Sequence, residues 1–389
     1  MERPEAPAPR SLLVTFDYPP TVGGIALVLD RFWRLAGHDG CLILAPDAPG
    51  AADFDATHPV RTVRFPSPGG GVGWGKVLTF LCGALWTAAW LLRHRPQLFV
   101  AGQVVRAGPL AWLFHRITGH PYDVWVYGGE TREAFVGPDW LGHFLRRILR
   151  RARTLFTNSP FTTREMLDYG LATEQVVELP LGVDGGIFEP GAADADLIDA
   201  YGLQDCLTYL TVGRLVERKG VDHMLEALAG LGDRLPPWKY LVVSDGPYRE
   251  ALEALSRRLG LTDRVHFCGF IDDARLPAFY RTCDVFAMPN REVVVPGQGS
   301  LSVEGFGIVF LEAAACGKPV IAGRSGGAVH AVEDGTTGLL VDGEDIESLQ
   351  QALLGLTDVG RRQRMGAAGI RFAARFDWQR SADILKRYL

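Results

Sequence analysis

The sequence predicts an α/β protein with two parallel-sheet domains, and three observations carry that expectation. A chain of 389 residues is long enough for two hydrophobic cores. Short apolar runs of strand length alternate with helix-length amphipathic stretches, as in strand–helix–strand units whose sheet is covered on both faces. The alternation stops once, at Leu179-Pro180-Leu181-Gly182-Val183-Asp184 and Phe188-Glu189-Pro190-Gly191, where Pro and Gly are dense, and restarts at Leu207. That break reads as a linker. The first domain is placed at residues 1–186 and the second at 187–370.

Composition narrows the function classes. A hydrophobic content of 47% marks a globular protein with a large core. A net charge of −5 argues against general nucleic-acid binding, which needs a basic surface. The six cysteines (41, 82, 206, 268, 283 and 316) form no C-x-x-C pair and no Cys/His cluster. They read as reduced thiols of a cytoplasmic protein, with neither a disulfide frame nor a metal site. Met1 to Arg10 does not look like a signal peptide.

Taken in order, Ser11 to Phe16 is an apolar strand, followed by Asp17-Tyr18-Pro19-Pro20-Thr21-Val22-Gly23-Gly24-Ile25 and a helix from about Ala26 to Leu35. Strand, glycine loop and helix together make an anion cradle at a helix N-terminus. The G-x-G-x-x-G spacing of a dinucleotide site is missing, so a nicotinamide dehydrogenase is the least favoured class. Leu42–Leu44 and Val63–Phe65 are strands. Pro66 to Lys76, with five glycines and Trp74, reads as a mobile surface loop. Val77–Leu92 is apolar but short for a membrane span and reads as a buried helix. Leu98–Val100 and Val124–Val126 are further strands, the latter ending at Tyr127-Gly128. Leu141–Arg153 is an amphipathic helix with Arg146, Arg147, Arg150, Arg151 and Arg153 on it, either a solvated face or a patch for an anionic membrane. Thr154–Ser159 is expected to close the first sheet.

In the second domain Leu207–Val212 is a strand, followed by Gly213-Arg214-Leu215-Val216-Glu217-Arg218-Lys219-Gly220 and a helix from Val221. Fixed cations beside a helix start suit a diphosphate. Tyr240–Val243 is a strand ending in Ser244-Asp245-Gly246, and another begins at Val265. Val285–Pro289 is a buried strand. Ile308–Ala315 is a helix closed by Gly317 and Pro319, and Val320–Ala322 is the next strand. Glu304-Gly305-Phe306-Gly307 lies ahead of the helix: two glycines let the backbone approach a ligand, and the free amides of the helix start attract anions.

Glu304 and Glu312, with seven residues between them in the setting E-G-F-G-I-V-F-L-E-A-x-A-C-G-x-P-V-I, resemble the E-x7-E motif of the retaining glycosyltransferases of family 4. The resemblance covers nearly the whole chain and is strongest over 207–345. It implies the GT-B fold, two Rossmann-like domains facing a cleft, with residues 371–389 forming a helix that crosses back to the first domain. Gly213–Gly220 is similar to the family's G-R-L-x-x-x-K-G motif, which implies that Arg214 and Lys219 hold the donor diphosphate. By the same resemblance Glu304 holds the sugar hydroxyls and Glu312 the ribose. The donor site further includes Gly23 and Gly24 of the P-P-x-x-G-G-I loop, Gly213, Gly246, and the amides around Phe306, Gly307 and Ile308. A-M-P-x-R at 287–291 and the stretches after it are similar to the lipid-directed mannosyltransferases that build phosphatidylinositol mannosides. Three departures stand out. Tyr127 replaces a frequent His that contacts the donor sugar, Ser244 replaces Gly, and Arg291–Ser302 is longer.

The expectation is therefore a cytoplasmic enzyme, peripheral at the inner membrane face, that moves a hexose of mannose, glucose or N-acetylglucosamine type. The donor is a nucleoside diphosphate sugar, and the acceptor a hydroxyl of a lipid-linked molecule or glycan. Configuration is retained, and neither a metal nor a further cofactor takes part. Arg214, Lys219, Glu304 and Tyr127 are the expected catalytic set; Trp74, Arg146, Arg147 and Arg150 are assigned to the acceptor or membrane. The alternatives are a nucleotide-sugar epimerase of the same shape, a transferase acting on a soluble metabolite, or a sensor that binds without turnover.

Overall fold

The computed structural model describes residues 10–21, 23–68, 74–128, 135, 140–294 and 301–389. It divides into two units, residues 1–181 with 378–389, and residues 182–377. The crossings fall after Leu181 and Asp377, not after residues 186 and 370. Helix 359–373 packs on helix 308–315 of the second unit, so the chain joins the first unit only at Trp378.

In the first unit the strands are β1 (Ser11–Val14), β2 (Cys41–Pro46), β3 (Thr62–Phe65), β4 (Leu98–Ala101), β5 (Tyr122–Val126), β6 (Thr154–Thr157) and β7 (Val176–Glu178). They pair in parallel in the order β3-β2-β1-β4-β5-β6-β7. The central strands are buried along their whole length, because crossover helices cover both faces. The helices are α1 (Gly24–Ala36), α2 (Ala51–Ala56), α3 (Trp74–His94), α4 (Gly108–Thr118), α5 (Trp140–Arg151) and α6 (Pro160–Asp168). β6 does not close the sheet. The short β7, which carries only half-buried residues after a turn at Thr173–Gln175, pairs outside it.

The expected buried helix at 77–92 is corrected. Trp74–Lys76 are its first residues, no longer part of a loop, and only 11% of Val77–His94 is buried. By length and composition alone the helix could cross a membrane. Its narrow seat is made by Gly83, where a Cβ would meet the Phe16 ring at 2.8 Å, and by buried Thr87, whose hydroxyl donates to the Gly83 carbonyl. Val77, Leu78, Leu81, Leu85 and Leu92 point outward. An outer face without polar residues left no sequence mark of its exposure.

In the second unit, α7 (Ala195–Tyr201) precedes β8 (Leu207–Val212), α8 (Val221–Leu231), β9 (Trp238–Val243), α9 (Arg249–Arg258), β10 (Val265–Gly269), α10 (Leu276–Thr282) and β11 (Val285–Met288). An antiparallel pair, β12 (Val293–Val294) with β13 (Leu301–Ser302), occupies the longer 291–302 segment. Then come α11 (Ile308–Ala315), β14 (Val320–Gly323), α12 (Ala328–Ala331), β15 (Gly338–Val341), α13 (Ile346–Gly355) and α14 (Val359–Ala373). The parallel sheet runs β10-β9-β8-β11-β14-β15. Its connections place the loops after β8, β11 and the helix start of α11 at one end of the sheet, where such folds bind ligands. The terminal helix α15 (Trp378–Leu385) belongs to the first unit and packs on α1, Trp378 meeting Phe32 edge-on at 5.4 Å. Arg153 donates to the Tyr388 carbonyl at 2.8 Å while pairing with buried Asp123, which ties the chain end to β5 and β6.

Ser244 sits at φ +103, a conformation that glycine adopts freely and other residues adopt under strain. Strain of this kind costs about 1–3 kcal/mol, against about 0.5–1 kcal/mol for the extra freedom of an unfolded glycine. Ser244→Gly should therefore raise the thermal midpoint of this unit by about 2–4 °C, as expected of about 1 kcal/mol in a unit of this size. A midpoint unchanged or lowered in a thermal melt would show that the seryl side chain offsets its own strain.

Candidate active site

The loop after β8 is built by close backbone packing. Gly213 has φ +146, and a Cβ there would lie 3.6 Å from Lys219 Nζ. Leu215 donates to the Asp245 carbonyl at 3.0 Å, and Tyr248 donates to the Leu215 carbonyl at 3.0 Å. Gly246 is pressed on this loop so tightly that a Cβ would sit 2.3 Å from the Leu215 oxygen. In this structure Gly246 thus serves loop packing. A 3-10 turn at Glu217–Lys219 then leads through Gly220, left-handed at φ +72, into α8. The sharp turn drives Lys219 inward, where it is 7% exposed, while Arg214 stays exposed and, among the described residues, takes no ion-pair partner.

Glu304 meets this turn from the other side. Its Oε2 accepts from Lys219 Nζ at 2.7 Å and also from Arg218 Nη1. Burial pushes the Glu304 carboxyl up, but the charges of Lys219 and Arg218 and their hydrogen bonds outweigh it and hold it at about 2. Burial likewise pulls the Lys219 ammonium down, opposed by Glu304. The loop bearing Glu304 is fixed by Gly327, whose N–H donates to the Glu304 carbonyl at 2.8 Å; a Cβ at Gly326 or Gly327 would collide with the carbonyls of residues 304 and 305. Gly307 caps α11 at φ +88, with the Phe310 ring 2.5 Å from where its Cβ would be. Phe306 is buried against Phe376 at 5.9 Å, and Ile308 opens the helix.

Two contacts were not foreseen in the sequence: those of Arg291, quoted there only as part of A-M-P-x-R, and of Tyr280. Arg291, 5% exposed, binds Asp222 through both terminal nitrogens at 2.9 and 2.6 Å, and its N–H donates to the Arg218 carbonyl at 2.9 Å. It thereby anchors the start of the 291–302 segment on the cation turn. Tyr280, fully buried, donates to Glu312 Oε2 at 2.6 Å. Arg218 was visible beside Lys219 in the sequence; Tyr280 carries no signal there, because it reads as an ordinary core aromatic.

The remaining expected residues lie in the first unit. Among the described residues nothing lies within 4 Å of where a Cβ on Gly23 or Gly24 would project, so these glycines answer no clash with them. The loop before them is held by Arg64, which pairs with Asp55 and donates to the Pro19 carbonyl at 2.7 Å, and by the Tyr18 hydroxyl on His58 at 3.0 Å. Tyr127 is half-buried and stacks on Trp125, ring centres 6.1 Å apart. Arg147 and Arg150 are exposed on α5, and Arg146 is half-buried. Trp74 opens α3, and its side chain lies outside the described residues.

Two Rossmann-like units, the second carrying a cation turn bonded to the first carboxylate of an E-x7-E helix start, define a GT-B glycosyltransferase. Residues 200–372 match the family described as Glycosyl transferases group 1, and residues 28–182 match the Glycosyl transferase 4-like domain. The chain belongs to this glycosyltransferase family. It is 35% identical over 381 residues to the GDP-mannose-dependent alpha-(1-6)-phosphatidylinositol monomannoside mannosyltransferase of Mycolicibacterium smegmatis, covering 95% of this chain and 94% of that one. It is 34% identical over 247 residues to the D-inositol 3-phosphate glycosyltransferase of Acidothermus cellulolyticus, covering 61% of this chain and 52% of that one. In fold it is similar to Anabaena HepE in complex with UDP-glucose, with a TM-score of 0.80 at 21% identity over 97% of this chain and 100% of that one. The protein is therefore a hexosyltransferase that uses a nucleotide sugar and a hydroxyl acceptor.

Because the folded carboxyl of Glu304 titrates near 2, below its unfolded range, its contribution to stability is complete above about pH 4.5 and is lost as pH falls towards 2. Glu304→Gln should be less stable at pH 7, since it leaves Lys219 buried without a carboxylate. It should also lose less stability than wild type between pH 4.5 and 2. Equal slopes in acid-titrated urea melts would count against the ion pair.

Proposed function

We propose that this enzyme transfers mannose from GDP-mannose to a hydroxyl of a phosphatidylinositol-type glycolipid, with retention of anomeric configuration and without a metal. The observation that supports this most is the Lys219–Glu304 contact at 2.7 Å, which sets a cation and a sugar-binding carboxylate of the E-x7-E motif side by side. The relative of M. smegmatis over nearly the full length supports the donor and the acceptor.

The chemical difficulty is the departing diphosphate, which gains negative charge as the glycosidic bond breaks. Lys219, Arg214 and the amides at the start of α11 meet that charge in a site already organised before the reaction, so no solvent need reorient. Glu304 accepts from sugar hydroxyls and keeps Lys219 in place. Glu312 accepts from the ribose. Fixed cations of this number make a divalent ion unnecessary for charge balance, which supports the metal-independent reading. The partial likeness to the inositol-phosphate enzyme favours an inositol-containing acceptor in either reading, lipid-borne or soluble.

The direct test offers GDP-mannose with a phosphatidylinositol mannoside, with inositol phosphate, or with no acceptor, each with and without chelator, and reads the anomeric configuration of the product by NMR. Transfer to the lipid that persists with chelator, with the α configuration kept, is expected. Isomerised donor without transfer would replace this reading by the epimerase, and binding without turnover by the sensor. Lys219→Ala should lower kcat by about 10²–10³ while weakening GDP binding much less, because its charge matters most as the diphosphate leaves. A kcat within twofold of wild type would remove the leaving-group role.

We further propose a peripheral contact with anionic membrane through the first unit. The supporting features are the outward Val77, Leu78, Leu81, Leu85 and Leu92 of α3, and the exposed Arg147, Arg150 and Arg151 of α5. α4 packs beside both helices and exposes Leu113 and Ile117. Each basic residue adds about 1 kcal/mol at an anionic surface, screened by salt. The triple change of these arginines to Gln should lower sedimentation with phosphatidylglycerol vesicles at low salt by about 10²-fold or more. If the wild type ignores such vesicles, α5 is a solvated face.

A further inference from the structure

Glu312 is 7% exposed and lies in the otherwise apolar helix α11, Ile308–Ala315. A carboxylate there must be held by hydrogen bonds, because its last torsion is soft and its desolvation is costly. The structure supplies one such bond from an unexpected element. Tyr280 of α10 donates to Glu312 Oε2 at 2.6 Å, the short distance of a charge-assisted hydrogen bond. The Tyr280 ring cannot swing away. Phe188 meets it edge-on at 5.6 Å and Phe286 lies at 5.7 Å, with Phe310 of α11 in turn edge-on to Phe286. The phenol is therefore a fixed donor aimed at one oxygen of the carboxylate.

Resting on the reading of Glu312 as the ribose acceptor, we propose that Tyr280 is a positioning residue. By occupying Oε2 it fixes the plane of the Glu312 carboxylate, and so sets the preference of the donor site for a ribose with free 2′ and 3′ hydroxyls. Burial, and then the charge of Glu312, push the phenol well above its ordinary pKa, so it is a donor to the carboxylate at neutral pH. An acceptor carboxylate that pivots can satisfy a vicinal diol in many poor geometries; one that is held presents its remaining lone pairs in a single direction. The gain is selectivity for the diol more than overall affinity. A group serving only to fill the core would not produce that signature.

The test measures dissociation constants of GDP and of 2′,3′-dideoxy-GDP by calorimetry on the full chain. The wild type should prefer GDP, and Tyr280→Phe should reduce that preference by about tenfold, the scale of one hydrogen bond to a charged group. Glu312→Gln should abolish the preference. The double variant should be no worse than Glu312→Gln alone, since the phenol acts through the carboxylate. If Tyr280→Phe proves unstable because it leaves a buried carboxylate short of a donor, Tyr280→His decides instead: its ring still fills the aromatic pocket, but the phenolic hydroxyl on Oε2 is gone, and the preference should fall in the same way. A preference kept within twofold of wild type in Tyr280→Phe, or in Tyr280→His where that is the stable variant, overturns the positioning role while leaving the ribose contact intact. A preference that survives Glu312→Gln, or failure of GDP to bind the wild type, removes the underlying reading and this inference with it.

Discussion

The shared oxygen of Glu304 is the contact on which the second unit's functional end depends. Three charges from two separate loops converge there, and two of them, Lys219 and Glu304, are almost wholly buried. Neither would remain ionised in that place alone, because taking a single charge out of water costs several kcal/mol even after relaxation. Each loop is therefore specified through the other. The turn at Glu217–Lys219 drives a lysine inward only because a carboxylate waits for it, and the Glu304 loop tolerates a buried carboxylate only because two cations meet it. Such an arrangement adds little to net stability compared with an apolar plug. What it provides is a charge layout that is already paired, and hence already oriented, which is the property the proposed donor site needs.

The glycines of this region act in the same cause. Gly246, Gly326 and Gly327 have no room for a Cβ because loops press on one another, whereas Gly23 and Gly24 have empty space. In the first group a side chain would push apart the loops that carry Lys219 and Glu304. In the second it would only intrude on whatever ligand comes near. A glycine in a motif thus has two physical meanings, and the neighbouring atoms tell them apart. The Arg291–Asp222 pair extends the constraint outward: it joins the first turn of α8 to the start of the 291–302 segment, whose other end leads directly to Glu304. Both ends of that longer segment consequently bear on the same cation turn.

Much of this was legible beforehand, for identifiable reasons. The central strands of the second unit, β8, β11 and β14, are buried along their whole length, and β8, β11 and α11 fell where their runs and glycines placed them. Lys219 and Glu304, which the structure brings together at 2.7 Å, could be singled out because spacing within a motif is a local property. What sequence could not deliver depends on packing between distant segments. β7 is too short to carry a pattern. Tyr280 is thirty-two residues from Glu312 and looks like any core aromatic. The prominence given to Arg214 over Arg218 followed the motif, whereas the direction of each side chain is decided by the 3-10 turn, which turns Arg218 towards Glu304 and leaves Arg214 in solvent.

α3 shows the limit of hydropathy as a guide to burial. A helix so uniformly apolar was expected inside, since burial is the ordinary way to satisfy such a face. Yet its contact with the sheet is limited to a strip whose smallest member, Gly83, lets Phe16 and Phe65 come close. The outward leucines gain nothing from that contact, and an exposed apolar face of this length opposes solubility. The proposed interfacial setting would remove that cost, because leucine and valine side chains at a headgroup boundary leave water while the backbone bonds of the helix stay satisfied within it. On the proposed membrane contact the narrow glycine seat and the apolar outer face belong together: the helix then needs only enough contact with its own sheet to be oriented.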